Sequence, residues 1–356
     1  MEYFISSEFF VGQAAWLLLA VTATSIAVLA WGADRLVDGA SGLAAGFGVP
    51  KVVVAATVVS LGTTSPECAV SVIAAWSGEP GLALGNAIGS VVTDTGLIFG
   101  LGCLLATLPA DRKLLNRQGW FQAGSALVLA LLCYGSLIAS GRSAVLGRDA
   151  GLLLIALLVA YLYLSVSWSR RDRGSVDMAG DLLTGESILG DAAAPVGKLL
   201  ATLLLGLLVV VFCSQVLVLA VSELAVQAGV SKLVIAGTLV ALGTSLPELV
   251  VGLSAVRKGH PEILVGTVIG ADVLNVLFVV GASALAAPLP LLETGAELPA
   301  LLFYLHLPVM LLMLGWFRFC VGRAGQSGVF SRWMGGPLIA AWVIYVAVQA
   351  WLGAAV

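Results

Sequence analysis

Two glutamates stand where an apolar sequence has least use for them. Glu67 closes the run Leu61-Gly62-Thr63-Thr64-Ser65-Pro66-Glu67, and Glu248 closes Leu242-Gly243-Thr244-Ser245-Leu246-Pro247-Glu248. A carboxylate at the centre of a membrane helix costs about 2.5–3.5 kcal/mol and calls for a partner or a cavity. On a helix Thr63 and Glu67 are four residues apart and share a face, as do Thr244 and Glu248. Thr64 and Ser245 add a hydroxyl beside each. Pro66 and Pro247 cannot donate to the carbonyls four residues back, which predicts free oxygens at Gly62 and Gly243. The donor set is therefore carboxylate, hydroxyl and carbonyl. Oxygen-only ligation suits Ca²⁺, Na⁺ or Mg²⁺, and soft metals are disfavoured because Cys68 and His260 stand alone. Two carboxylates that face each other repel unless a proton or a cation lies between them, and a divalent cation balances both.

A second cluster follows each glutamate. The first reads Gly85-Asn86-Ala87-Ile88-Gly89-Ser90-Val91-Val92-Thr93-Asp94, with Ser90 and Asp94 again four apart. The second reads Gly266-Thr267-Val268-Ile269-Gly270-Ala271-Asp272-Val273-Leu274-Asn275. The glycines alone are equally well explained by close helix packing.

The elements that must hold these residues are membrane helices. The chain has 356 residues, is 60% hydrophobic and only 10% charged, and its mean hydropathy is +1.07. A soluble domain of this size carries far more charge, so the lipid bilayer is its solvent. Ten segments are long and apolar enough to span it, near 12–40, 50–76, 81–107, 119–139, 145–168, 197–226, 231–257, 262–286, 298–319 and 333–354. The polar stretch 169–196 reads as a linker between a five-helix repeat, 1–168, and a second one, 197–356. With that linker cytoplasmic and both termini outside, fourteen of the 17 Lys and Arg residues fall on the inside, and only Arg142, Arg148 and Lys232 lie outside. The short loops suit a prokaryotic inner membrane. The N-terminus has no basic region before its apolar run, and no removable signal peptide is read there.

The halves repeat. A shift of 181 positions pairs Gly48 with Gly229, Lys51 with Lys232, Thr57 with Thr238, Pro66-Glu67 with Pro247-Glu248, and Gly85, Ile88 and Gly89 with Gly266, Ile269 and Gly270. Between Gly48 and Gly100, 21 of 53 positions are identical. Five spans in each half turn the second repeat upside down relative to the first. Such inverted repeats place a substrate site near the midplane, between the halves.

The motifs GTTSPE with GNAIGSVVTD, and GTSLPE with GTVIGADVLN, resemble the two α-repeats of the calcium/cation antiporter family, whose best-known branch is the sodium/calcium exchangers. They lie at about 48–107 and 229–286. The resemblance implies a secondary antiporter that exchanges Ca²⁺ for Na⁺ by alternating access, with no cofactor and no required protein partner. By position, Glu67 and Glu248 match the central Ca²⁺-ligating glutamates. Thr63 and Thr244 match threonines that offer ion ligands, and Thr64 and Ser245 match adjacent hydroxyls. Ser90 matches a serine of a Na⁺ site, and Asp94 and Asn275 match the polar pair of the second helices. The proton-coupled branch has Gly-Asn-x-x-Glu in the first cluster; Thr in its place favours Na⁺. The usual motif continues Ser-Asn-x-x-Asn or Asp. Here Ala271 lacks the hydroxyl, Asp272 stands where Asn is common, Val91 replaces the first-half Asn, and Asp94 and Asn275 invert the acid and amide of some relatives. A Ca²⁺/H⁺ antiporter and a K⁺-involving exchanger are the alternatives within the family. The inverted repeat argues against a channel, and no nucleophile–base set or histidine cluster supports an enzyme.

Other polar residues receive plainer readings. Asp34, Arg35 and Asp38 read as an interfacial cluster at the end of the first helix, Glu223 as a helix-end or vestibule residue, and His306 as a packed, hydrogen-bonded histidine. The five cysteines read as buried apolar residues, and the nine tryptophans as interfacial anchors. The net charge of −3 gives no reason to expect nucleic acid.

Overall fold

A computed structural model describes residues 7–180, 195–228, 241–292 and 301–355. Gly229, Lys232 and Thr238 of the repeat lie outside the described residues, as do the beginnings of the expected spans 231–257 and 298–319 and linker residues 181–194. The chain is a polytopic all-α membrane protein. Among the described residues, eight helices are long and apolar enough to cross a bilayer, and a bent pair makes a ninth span.

The first half runs α1 (Ala15–Phe47), the bent pair α2 (Lys51–Thr63) and α3 (Ser65–Trp76), α4 (Pro80–Leu105), α5 (Arg112–Ser140) and α6 (Arg148–Gly180). The second half runs α7 (Val196–Gln227), the short α8 (Ala241–Thr244), α9 (Leu246–Arg257), α10 (Pro261–Ala286), α11 (Leu302–Ser327) and α12 (Gly335–Ala355). Helix α6 continues to Gly180, twelve residues into the stretch read as linker; no proline interrupts it.

Local sequence explains the boundaries. Pro80 and Pro261, equivalent by the repeat, each open a helix where a missing N–H costs nothing. Each follows a turn through Gly78 or Gly259 at φ 79° and 80°, a conformation that side chains resist. Asp111 caps α5 by accepting from the N–H groups of Lys113 and Leu114 at 2.9 and 3.0 Å. Pro308 lies one turn into α11, and the preceding residues Leu302–His306 widen into a π-helical turn.

Apolar packing divides into two principal cores. The larger joins α4, α5, α6, α10, α11 and α12 around Leu129, Leu154, Val268, Leu277, Leu307 and Phe317. A smaller one joins α1 and α7 to α2, α9 and the start of α10 through Leu29, Leu36, Val54, Leu203, Val210 and Val251. Two short strand pairs cross between the halves. β1 (Leu108–Pro109), after α4, pairs with β4 (Val329–Phe330), before α12. β2 (Val145–Leu146), before α6, pairs with β3 (Leu289–Pro290), after α10. The first pair lies at the face where α6 ends, the linker face, and the second at the opposite face. Phe330 of β4 meets Phe99 at 5.0 Å, and Phe99 meets Phe317 at 4.7 Å, so aromatic packing reinforces the first pair. Exposed Trp16, Trp76, Trp120, Trp333 and Trp351 lie near helix ends, where tryptophan is favoured at a bilayer interface.

The cluster read as merely interfacial ties α1 to α9. Both carboxylate oxygens of Asp34 accept from Arg257 Nη2 (2.6 and 2.5 Å), and Ser254 Oγ also donates to Asp34. Lys258 Nζ bonds the Asp34 carbonyl at 3.1 Å and pairs with Asp38. Arg35 lies over the Trp31 ring at 5.4 Å. At this partly exposed site the Asp34–Arg257 pair contributes about 1 kcal/mol. Arg257→Ala is therefore expected to raise hydrogen–deuterium exchange in residues 36–47 roughly fivefold. Unchanged exchange would show that the pair does not hold the end of α1.

Glu223 accepts from Gly12 N–H at 3.2 Å and from Gln227 Nε2 at 3.1 Å near the end of α7. His306 is half-buried, its Nδ1 2.7 Å from the Tyr345 hydroxyl. Cys68, Cys103, Cys133 and Cys320 are buried and Cys213 half-buried, all with free thiols.

Candidate functional site

Both Thr–x–x–Pro–Glu segments break their helices at equivalent residues. α2 bends into α3 by 44° at Thr64, whose φ and ψ are −84° and −6°. α8 gives way to α9 at Ser245, at −90° and 8°. Each break is followed by proline and puts a glutamate in the first turn of a new helix. A helix N-terminus carries partial positive charge, so it favours a carboxylate there. Glu67 and Glu248 are each only 1% exposed.

The second helices distort in parallel. α4 widens into a π-helical turn at Asp94–Phe99, and α10 does so at Asn275–Val280. Asp94 and Asn275 are partners under the 181-residue shift. Such turns widen a helix locally and recur at functional sites. Ser90 lies one turn before Asp94 in α4, 2% exposed.

The halves meet through these residues. Thr64 Oγ1 donates to Glu248 Oε1 at 3.4 Å, and the Thr63 hydroxyl also contacts Glu248. Thr63 Oγ1 has the Ser60 carbonyl as a further acceptor at 3.3 Å. Ser245 of the second half stands beside Asp94 of the first. Glu67 lies within electrostatic reach of Glu248 and Asp94, and Asp94 within reach of Glu248 and Asp272. None of the ion pairs among the described residues involves these four acids. Among those residues, both Glu67 oxygens, both Asp94 oxygens, Glu248 Oε2, Ser90 Oγ, Ser245 Oγ and Asn275 Oδ1 are buried without a hydrogen-bond partner. Buried polar atoms left this way are costly, and oxygens are the ligands that a hard cation takes. No three His, Cys, Asp or Glu side chains among the described residues converge as a metal-binding group.

The remaining expected residues occupy varied surroundings. Thr244 is half-buried and engaged in an interaction of its own. Gly62 and Gly243 both abut α7, where an added methyl would strike Leu207 and Val218 respectively. Asp272 Oδ2 accepts from Thr95 Oγ1 at 2.5 Å and from Gln122 Nε2 at 2.6 Å.

Four polar neighbours carry no role in the motifs as read: Asn86 and Thr267, which stand inside them, and Thr95 and Gln122, which do not. Asn86 Nδ2 donates to the Glu67 carbonyl at 3.4 Å and to Ser71 Oγ at 3.0 Å, bracing α3 against α4. Thr267 is 1% exposed with an unpartnered hydroxyl, and it is the repeat partner of Asn86. The available signal for Gln122 was a pair of amides, Gln118 and Gln122, four apart in an otherwise apolar helix.

Comparison with known proteins gives a consistent picture. The sequence profile described as sodium/calcium exchanger protein matches residues 17–167 and 198–351. Inner membrane protein YrbG of Escherichia coli K12 is 32% identical over 339 residues, covering 94% of this chain and 98% of that protein. Sodium/calcium exchanger MaX1 of Methanosarcina acetivorans is 28% identical over 283 residues, covering 74% of this chain and 81% of its own length. The solved structure of the sodium/calcium exchanger from Methanococcus jannaschii superimposes with a TM-score of 0.75 at 25% identity, covering 94% of this chain and 99% of that one.

Proposed function

This chain belongs to the sodium/calcium exchanger protein family, and from that premise we propose that it exchanges Ca²⁺ for Na⁺ across the membrane by alternating access, with Glu67 and Glu248 as the shared cation site. One observation carries this reading. Two buried glutamates with unpartnered oxygens lie at repeat-equivalent helix breaks and are joined across the halves by the Thr64–Glu248 contact. Thr63 and Thr64 contact Glu248, and Asp94 lies beside Ser245 and within electrostatic reach of both glutamates; Thr244, Ser90 and Asn275 complete the proposed set of oxygen donors. Gly62 and Gly243 allow the helix breaks to approach α7.

The exchange works by competition. Ca²⁺ balances both glutamates, and Na⁺ ions balance them in its place. An occupied site permits the protein to change the face to which it opens. An empty site, holding uncompensated charge in a low dielectric, resists that change. Coupling follows because both ions need the same oxygens. The Lys and Arg distribution supports a cytoplasmic linker with both termini outside, and the short loops support a prokaryotic plasma membrane.

The test is Ca²⁺ uptake into proteoliposomes under outward gradients of Na⁺, K⁺ or H⁺, imposed singly with the membrane potential clamped. Uptake driven by the Na⁺ gradient is expected. Uptake driven by a proton gradient alone would reassign the counter-ion, and absence of uptake under every gradient would overturn Ca²⁺ as substrate.

A further inference from the structure

The linker face carries charge that the repeat does not reproduce. α10 ends beside β3 at the opposite face, so its start, with the turn at 258–260, lies at the linker face. There Asp34 of α1 holds Arg257 of α9 at 2.6 and 2.5 Å and accepts from Ser254. Lys258 reaches the Asp34 carbonyl at 3.1 Å and pairs with Asp38. Under the 181-residue shift Asp34 and Asp38 become Gln215 and Leu219, and Ser254, Arg257 and Lys258 become Ile73, Trp76 and Ser77. No charged residue occupies any of these positions at the other rim.

Inverted repeats make that difference informative. When each half takes the conformation of the other, the two openings are related by the repeat, and a symmetric protein would populate them alike. Ion pairs present at one rim favour the state in which that rim is closed. The piece they hold is α1 with α7. A methyl at Gly39 would strike the Leu203 backbone, and one at Gly206 the backbone of Leu36 and Gly32, so the two helices meet backbone to backbone. Neither strand pair takes them in. At the far rim Glu223 accepts from Gly12 and Gln227 donates to the Gln13 carbonyl at 2.9 Å, so these bonds stay within the piece. At the linker rim Asp34 and Asp38 grip α9. α1 also covers Val251 and Ala255 of α9, both 0% exposed, and Glu248 lies in the first turn of that helix. Lifting the end of α1 off α9 therefore bares a way along α9 from the linker face toward Glu248.

We propose that Asp34, Asp38, Arg257 and Lys258 form an ionic lock that keeps the linker face closed and opens each time the site turns to that side. The inference rests on the alternating-access reading of the glutamate site. It adds an asymmetry: the protein favours opening to the face opposite the linker, and Ca²⁺ arriving from the linker side selects the minor state. Its apparent affinity there is lowered by the fraction of protein open to that side. Both pairs are partly exposed, so salt screens them and weakens the bias.

Radioactive Ca²⁺ entry, measured as Ca²⁺–Ca²⁺ exchange in inside-out and right-side-out membrane vesicles, reads each face separately. Each exposed pair accounts for up to about a fivefold bias. Arg257→Gln combined with Lys258→Gln is expected to raise the apparent Ca²⁺ affinity at the linker face about tenfold and to lower it at the other face about twofold at most. Choline chloride at about 1 M on both sides, which cuts the screening length to about 3 Å, is expected to shift the wild type in the same direction and the double variant no further. Affinity at the linker face unchanged in the double variant overturns the lock. So does affinity lowered equally at both faces, which is what damage to the fold gives. Ca²⁺ entry from neither face of the wild type overturns the exchange reading instead. Hydrogen–deuterium exchange at 250–257, which α1 covers, then decides the lock: it is expected to be high in the double variant and to rise to that level with choline chloride in the wild type. Equal exchange in the two proteins at every salt concentration overturns it.

Discussion

Glu67→Gln is expected to abolish Ca²⁺ uptake in a protein that still folds. The amide matches the carboxylate in size, so packing at this 1% exposed position is kept while one of two central charges is removed. Breaking a buried charge pair by removing one member costs about 3–5 kcal/mol, or two to three and a half powers of ten in apparent affinity. Glu248→Gln is expected to be as severe, because the two residues occupy equivalent first turns of α3 and α9. The double variant should be no worse for Ca²⁺ than either single one, since residues that act as a unit are non-additive. Thr64→Val removes only a 3.4 Å hydrogen bond to Glu248 and should cost about tenfold or less. Isothermal titration with Ca²⁺ in detergent, paired with flux, reads all four. A Glu67→Gln protein that transports Ca²⁺ at wild-type affinity would remove the glutamate pair from the mechanism.

The second large effect falls on a residue with no polar group. A methyl added at Gly270 would meet the Ala56 carbonyl, the Ala56 Cα at 2.5 Å and Ser60 Oγ at 2.5 Å. Ser60 is itself committed, donating to the Ala55 carbonyl at 2.8 Å and the Thr267 carbonyl at 3.1 Å. Backbone, rather than a flexible side-chain end, therefore blocks the space. Gly266 is similarly pressed against Val52 and Ala55. Gly270→Leu is expected to push α10 off α2, at the upper end of the roughly 1–3 kcal/mol typical of overpacking. It should lower the melting temperature and eliminate transport, because α10 also carries Asp272 and Asn275. Gly315→Leu, on an open face of α11 with nothing within 4 Å, is the control and should leave both unchanged. Equal melting temperatures for the two variants would refute the packing argument.

The parts that could be read from the sequence were those written twice. The glutamates, the adjoining hydroxyls and the prolines recur at a fixed shift, and a coincidence of Gly, Thr, Pro and Glu is hard to produce by chance. The helix break follows from proline chemistry, so its place near Thr64 and Ser245 could be anticipated. The π-helical turns at Asp94 and Asn275 could not, because no residue type signals an extra backbone residue in a helical turn. Asp34 and Asp38 were read as an interfacial cluster because their partners, Arg257 and Lys258, are about 220 positions away; local spacing carries no trace of them. Gln122 was missed for the opposite reason. Its repeat partner is Phe303, so the symmetry that marks the glutamates leaves it unmarked.

The two strand pairs impose a mechanical condition. They stitch one half to the other at both rims of the molecule, Leu108 to Phe330 at one and Val145 to Pro290 at the other. A clamshell movement that spread the halves apart at either rim would tear a stitch, with the aromatic contacts of Phe99 and Phe330 resisting at one of them. A sliding movement of α1 and α7, whose apolar core is the smaller one shared with α2, α9 and the start of α10, tears neither. The rims are fastened by strands that follow or precede other helices, and neither described strand pair takes in α1 or α7.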